Sequence, residues 1–509
     1  MSSIYNNVAF IVCPSQELER PPAAAAALAG VMRRNKVDYK IYDLNLELYH
    51  MLSHDDWMLC ERKWRIDSTV ELPKTFYVWI DKTIDIITTG GHDLIAISVF
   101  TKFSSRFAEM FLEQLRARIS TTVIAGGQGL GTPWGNTKFG NMLFDRRLVD
   151  YVAAGDGEVI FDNFLKGITE CPGLNFTVPE QISDLDNIPY PVFEQIDPKN
   201  YIYHQDPGVY LTASRGCVRK CKFCDVPSRW PKYRYRKGKD IAKELYAHYK
   251  SVGVSVVQFT DSVINGVIPE FEQLQDAIID YKQQDPKFNP KWLSQFNIRQ
   301  RKDMPDRIYQ KMANAGASVL VCGVEHASWR IREAMGKEFD NDDLDHHIKM
   351  CAKYGIQNVF LMFIGYPSET AEDHKEMLEF LEKYQKYCLS GTIMVIRWGY
   401  TGSMDHGSRM ELKQDNMEIV PEWPDFKLMS IDDHTQDWIY GRNWINLNNP
   451  TLTFKERIRR RLDVHRKSVE FEWPITRGQE ELEALKLICE VYAKQDISNV
   501  KIIEDTGNH

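Results

Sequence analysis

From residue 209 onward the chain repeats one unit: a short apolar run, a polar or glycine-bearing turn, then a stretch with helical spacing. The apolar runs are VYLTASRG, SVVQFTD, KWLSQFN, SVLVCGVE, NVFLMFIGY and GTIMVIRWG, with stretches such as DIAKELYAHYKSVG and MPDRIYQKMANAG between them. Consecutive parallel strands cannot be joined by a two-residue turn; each needs a crossover of a dozen residues or more, usually a helix. Six such repeats between residues 209 and 402 predict a partial (β/α)6 barrel of the TIM type. Functional groups are then expected at the C-terminal ends of the strands.

The first 180 residues show an earlier alternation of the same kind. NVAFIVC, VDYKIYDLN, HDLIAISVF, TTVIAGGQGLG and VDYVAAGDGE read as strands. After Pro21 and Pro22, AAAAALAGVMRRN reads as a helix, since alanine is the best helix former and proline suits a first turn. Residues 1–180 are therefore expected to form a doubly wound, Rossmann-like α/β domain, whose strand-end loops are the ligand-binding edge. Proline-rich residues 181–208 read as a linker. Residues 403–509 read as a mostly helical substrate or capping region, with TFKERIRRRLDVHRKSVEF and GQEELEALKLICEVYAK as its helices.

A chain of 509 residues suits two or three domains, and 43% apolar with 26% charged residues is an ordinary globular composition. The net charge of −8 gives no global attraction to nucleic acid, which is not an expected partner. KERIRRRLDVHRK is the densest basic stretch; Glu456 and Asp463 dilute it, and it reads as the solvated face of an amphipathic helix. No apolar run approaches the ~18 residues needed to span a bilayer, and MSSIYNNVAFIVCPSQ reads as a buried first strand rather than a leader. A cytoplasmic location is expected, with no membrane partner and with thiols kept reduced.

Against that background, SRGCVRKCKFCDVPS places Cys217, Cys221 and Cys224 in one loop, immediately after the first barrel strand. Thiolates are the ligands of iron–sulfur clusters, and short spacings let one loop wrap one cluster. A structural zinc ion would want a fourth Cys or His at comparable spacing. Three thiolates on four irons leave one iron open to a small molecule, and the Lys and Arg residues of the loop offset the negative charge. The other seven cysteines (Cys13, Cys60, Cys171, Cys322, Cys351, Cys388 and Cys489) are scattered and read as core thiols.

CVRKCKFC, with Phe223 before the third cysteine, resembles the signature loop of the radical S-adenosylmethionine (radical SAM) enzymes, whose partial barrel matches the six repeats. The resemblance implies a 4Fe-4S cluster on Cys217, Cys221 and Cys224, with S-adenosylmethionine on the open iron and reductive cleavage to a 5′-deoxyadenosyl radical. It implies further contacts to S-adenosylmethionine: Thr260, Asp261 and Ser262 in FTDS for the amino group, and Arg299 in FNIR for the carboxylate. Glu325 in CGVEHAS corresponds to the acidic residue near the ribose, and Ile364, Gly365 and Pro367 in FIGYPSET to the turn that packs on adenine. Asp261 also reads as a helix cap and Arg299 as a surface arginine. Val218 stands where many relatives carry proline, a difference in loop stiffness rather than ligation. An electron donor such as flavodoxin or ferredoxin is the implied protein partner.

Segments from PPAAAAALAGVMRRNKVDYKIYDLN to ISDLDNIPYPVF resemble the branch with an N-terminal cobalamin-binding-type domain. The D-x-H-x-x-G motif of many cobalamin domains is absent. The candidate cradle comprises Pro14–Glu17, Phe100–Ser104, residues 126–132 with Gly126, Gly127, Gln128 and Gly129, and the turn Gly155–Glu158. A ligand-free tight turn accounts equally for those glycines. The implied function is cobalamin-dependent C-methyl transfer to an unactivated carbon of a small-molecule or peptide substrate. Alternatives are a cobalamin-free radical rearrangement, dehydrogenation, ring contraction or epimerisation, a tRNA methylthiotransferase, and a non-catalytic iron–sulfur protein. Methylthiotransferases carry a second three-cysteine set in the first domain, which Cys13 and Cys60 alone do not supply. Arg397, Trp398, Tyr400 and His406 in RWGYTGSMDHGSRM are further candidates for lining the substrate space.

Overall fold

The structure is a computed structural model and describes residues 2–65, 68–101, 103–131, 138–203, 205–224, 226–387, 393–398, 417–419 and 444–471. Every strand read from the two alternations is present. The first sheet contains β1 (Asn7–Val12), β2 (Asp38–Asp43), β3 (Leu94–Ser98), β4 (Thr122–Gly126) and β5 (Tyr151–Ala153) in the order β2-β1-β3-β4-β5. All four pairings are parallel. Their register aligns Val12 with Asp43 and Ser98, Ser98 with Gly126, and Gly126 with Ala153, so the strands end together along one edge. The order reverses at β1, which makes the crevice beyond β1 and β3 the topological switch point of a doubly wound fold.

A second sheet has the order β11-β10-β9-β8-β7-β6, each strand beside its neighbour in sequence, as a partial barrel requires. Its strands are β6 (Gly208–Leu211), β7 (Val256–Phe259), β8 (Lys291–Phe296), β9 (Ala317–Glu325), β10 (Gln357–Ile364) and β11 (Ile393–Trp398). β6 pairs in parallel with β7, β8 with β9, β9 with β10, and β10 with β11. Two crossover helices, Asn341–Tyr354 and Ala371–Tyr384, start with reciprocal capping boxes, Asp340 with Asp343 and Thr370 with Asp373. Each box satisfies two otherwise orphaned backbone donors.

The chain forms two compact units, Met1–Arg215 with Ser228–Thr260 and Tyr281–Pro290, and Gly216–Pro227 with Asp261–Asp280 and Lys291–His509. In the first, alternate residues of β1, β3 and β4 (Ala9, Ile11, Ile95, Ile97, Val123, Ala125) pack on Phe76, Ile80, Phe107 and Phe111 of the flanking helices. Among the described residues no helix is long and apolar enough to cross a membrane.

The basic helix Phe454–Glu470 departs from expectation. Arg457, Arg460 and Arg461 are buried, together with Val464 and Ser468. Spacings of three and four residues put them on one face, so this stripe faces inward and is not the solvated face that its composition suggested. Only the outward part behaves as read: Arg459 pairs with Glu456 and Asp463. GQEELEALKLICEVYAK, Tyr400 and His406 lie outside the described residues; Arg397 and Trp398 close β11.

Candidate functional site

Cys217, Cys221 and Cys224 are half-buried and unbridged. The backbone of their loop turns tightly, with Cys224 N–H donating to Cys221 O at 3.0 Å. The Arg219 N–H points at Cys217 Sγ, 3.4 Å away. Burial pushes the Cys221 thiol up, and Lys337 works against that shift. Among the described residues no three ligand side chains converge on one ion position. Thiolates that each take a separate iron need not converge as the ligands of a single zinc ion must. Phe223 packs edge-on against Phe363 of β10 at 4.8 Å, within a small apolar cluster that includes Ile331, Met335, Tyr366 and Leu452.

The strand ends supply the remaining candidates. Asp261 is buried and Ser262 half-buried. The next helix begins only at Ile268, so Asp261 is not its cap. Thr260 is exposed, with Oγ1 2.9 Å from Thr212 Oγ1. Arg299 is half-buried, and its Nη2 donates to the carbonyls of Asn265 (2.9 Å) and Gly266 (2.7 Å). Glu325 ends β9 at φ 69°, beside a register shift at Gly323. A left-handed backbone at a non-glycine residue costs of order 1–3 kcal/mol and persists only where the surroundings impose it. The surroundings here are Lys337, whose Nζ donates to Glu325 Oε1 and to Gly323 O, both at 2.9 Å.

The turn after β10 is held from below. Ile364, Gly365 and Pro367 are buried, and the N–H groups of Gly365 and Tyr366 donate to Glu369 Oε2 at 2.6 and 3.2 Å. Arg460 of the basic helix donates to Glu369 Oε1 at 2.9 Å. Burial pushes the Glu369 carboxyl up, but His326 and Arg460 outweigh it and hold the group below its ordinary value. Arg457 lies over Gly365, and burial pulls its guanidinium down to about 9 against the opposing pull of Glu369. Asn446 and Asn449 each donate to Pro367 O. The inward arginines thus brace the turn that sequence resemblance assigns to adenine.

At the edge of the first sheet, the Pro14–Gln16 loop is largely closed. Ser15 is fully buried; Asn45 accepts from its N–H (3.1 Å), and its hydroxyl donates to Glu61 Oε2 (3.0 Å), which Arg65 also binds. The neighbouring loops are more open: Phe100, Gly127 and Gln128 are exposed, and Gly126, Gly129 and Gly155 half-buried. Gly127 has φ 111°, and a Cβ there would sit 2.3 Å from Val99 O. The close approach of two strand-end loops therefore demands this glycine whether or not a ligand is present. Glu158 is occupied, because Arg215 Nη2 donates to its Oε1 at 2.5 Å.

Residues 211–381 match the Radical SAM superfamily. The chain carries a radical SAM domain. Curated relatives include an uncharacterized methyltransferase of Pyrococcus horikoshii, 24% identical over 46% of this chain and 53% of its own length. Another is the ribosomal protein uS12 methylthiotransferase RimO of Clostridioides difficile, 27% identical over 44% of this chain and 48% of its own. The chain thus spans about half the length of these relatives. Among solved structures, the radical S-adenosylmethionine methyltransferase TsrM of Kitasatospora setae, with cobalamin and a 4Fe-4S cluster bound, has a TM-score of 0.57 at 16% identity. That match covers 78% of this chain and 72% of TsrM. The cobalamin-dependent radical enzyme OxsB, with aqua-cobalamin bound, also scores 0.57, at 15% identity over 81% of this chain and 56% of OxsB. Both are likenesses of fold, and they extend well beyond the radical SAM domain itself.

A radical SAM domain uses a 4Fe-4S cluster and S-adenosylmethionine. Three unbridged, half-buried thiols with a backbone donor aimed at one sulfur suit the cluster. Sequence reasoning missed Lys337 beside the cysteine loop, Glu369 and Arg460 behind the turn after β10, and a separate buried charge group around Arg215. Arg215 bonds Asp156 and Glu158, Arg234 bonds the other oxygen of Asp156 at 2.6 Å, and Trp230 lies beside both guanidiniums. One signal was available: the i, i+3, i+4 spacing of Arg457, Arg460 and Arg461 marks a single helix face.

Proposed function

We propose that this chain is a radical SAM enzyme that transfers a methyl group to an unactivated carbon with the help of cobalamin. The observation that carries the radical reading is the loop of three half-buried, unbridged thiols, whose Phe223 packs against Phe363 of β10. The fold likeness to TsrM, which covers 78% of this chain, supports the cobalamin reading. When bound, the cluster with S-adenosylmethionine supplies a 5′-deoxyadenosyl radical that abstracts hydrogen, and cobalamin supplies the methyl group.

The chain's own residues would bind and orient. Cys217, Cys221 and Cys224 hold the cluster. Asp261 and Glu325 are buried carboxylates at strand ends, suited to an ammonium group and to ribose hydroxyls. Arg299 offers a planar fork to a carboxylate, and the Gly365–Pro367 turn offers a rigid apolar surface to a base. Phe100, Gly127 and Gln128 form the outward part of the first sheet's binding edge. A second reading, methylthio transfer, has RimO among its relatives. Cys13 and Cys60 speak against it as further cluster ligands: both are buried, and burial pushes the Cys60 thiol up to about 12.

The test is anaerobic reconstitution with iron and sulfide, then dithionite and S-adenosylmethionine. Formation of 5′-deoxyadenosine that disappears in Cys224→Ala supports the reading, and formation that survives this substitution overturns it. Protein produced with cobalamin supplied should keep corrinoid absorbance through gel filtration. Loss of those bands replaces methyl transfer with a cobalamin-free radical reaction.

A further inference from the structure

We infer that Lys337 is an electrostatic positioning residue of the cluster loop, a buried ammonium that raises the reduction potential of the cluster held by Cys217, Cys221 and Cys224. This rests on the radical SAM reading and goes beyond it, since it assigns a role to a residue outside the cysteine loop.

Three observations converge on Lys337. First, its segment runs along the cysteine loop: Lys222 N–H donates to Met335 O at 3.1 Å, and a Cβ on Gly336 would lie 3.8 Å from Cys221 Cα. Second, its ammonium is enclosed, with 11% of the side chain exposed and the Phe223 ring centroid 5.6 Å from Nζ. Third, it is pinned by Glu325 Oε1 and Gly323 O. Gly323 reserves the space: a Cβ there would sit 2.3 Å from Glu325 Oε1 and 3.0 Å from Lys337 Nζ.

The Glu325 carboxylate and the Gly323 carbonyl, each 2.9 Å from Nζ, are the partners an ammonium takes when buried, so the group is held cationic. Glu325 cancels part of that charge, and the remainder acts on the thiolates through a poorly solvated region, where Coulomb terms are large. An added electron makes a cluster more negative, so a fixed cation beside it stabilises the reduced form and raises the potential. A flexible surface lysine could not do this, because water and ions would screen it.

The test uses the full chain, anaerobically reconstituted and without S-adenosylmethionine, followed by EPR-monitored redox titration. Lys337→Met should retain the cluster with a midpoint shifted to lower potential, and Lys337→Arg should stay near wild type. Glu325→Gln, which removes the opposing charge, should shift the midpoint upward. Opposite shifts in the two neutralising variants support the proposal, because a merely structural role for the pair would move both the same way or neither. An unchanged midpoint in Lys337→Met overturns it. If Lys337→Met takes up no cluster, Glu325→Gln decides: an upward shift supports the proposal and any other result overturns it. A wild-type chain that takes up no cluster overturns the radical SAM reading itself.

Discussion

Arg460 donates through Nη1 to Glu369 Oε1 at 2.9 Å, joining a basic helix to a turn 91 positions earlier in the chain. Both side chains are buried, with 5% of Arg460 and none of Glu369 exposed. Removing one partner of a buried pair typically costs about 3–5 kcal/mol when it leaves a charge wholly uncompensated, and less here, where His326 and two backbone N–H groups stay on Glu369. Arg460→Met is therefore expected to lower the denaturant midpoint at pH 7. The deficit should narrow as pH falls, because protonation of Glu369 removes the stranded charge. A pH-independent deficit would contradict the pairing.

Gly365 has φ 82°, and a Cβ there would come 2.5 Å from Arg457 Cδ. Gly365→Ala meets a backbone penalty and a steric one together, with an expected loss of about 1–3 kcal/mol. Equilibrium unfolding in urea measures it. A midpoint equal to wild type would show that Arg457 does not rest on this turn.

Asp156 divides its two oxygens between Arg215 (2.5 Å) and Arg234 (2.6 Å), and also accepts from Ile182 N–H at 2.7 Å. Asp156→Ala leaves two enclosed guanidiniums without that carboxylate and should destabilise by several kcal/mol, of the order found on breaking buried ion pairs. Glu158→Gln, which keeps one acceptor for Arg215, should cost clearly less. Thermal melts of the two variants side by side check this ranking.

His347 is fully buried, with Nδ1 2.9 Å from the Tyr309 hydroxyl, Nε2 3.1 Å from Asn358 Oδ1 and Nε2 3.4 Å from Cys322 Sγ. The arrangement suits a neutral ring that accepts from Tyr309 and donates to Asn358. Burial pulls the imidazole pKa from 6.5 to about 4. The folded value is the lower one, so this contribution to stability is fully present above pH 6.5 and is lost as pH falls toward 4. Across that window it amounts to about 3 kcal/mol. Unfolding free energies measured at pH 7 and at pH 4.5 should differ less in His347→Gln than in wild type. Equal pH dependence would refute the assignment.

The parts of the site that were legible in the sequence are those written by short-range spacing. Cys217, Cys221 and Cys224 lie within one loop, and the strands that frame them show as apolar runs at crossover intervals. The basic helix was misread on its inner face, because charge composition reports solvation only when no buried partner exists. Its partner, Glu369, is distant in sequence and carries no local mark. Lys337 carries no local mark for the same reason: a lysine after a helix is ordinary in sequence, and its Nζ meets Glu325 and Phe223 only in the folded chain.

The sequence by itself determined the order of strands and helices, the parallel architecture and the three candidate cluster ligands, because hydrophobic period and loop spacing act over a few residues. Only the tertiary structure decided which charges are buried. It placed Lys337 on Glu325 and beside Phe223 of the cysteine loop, Arg460 on Glu369 and Arg215 on Asp156 and Glu158. The reason is dielectric: a charge is costly or useful according to what surrounds it, and its surroundings are assembled by folding from residues far apart in the chain.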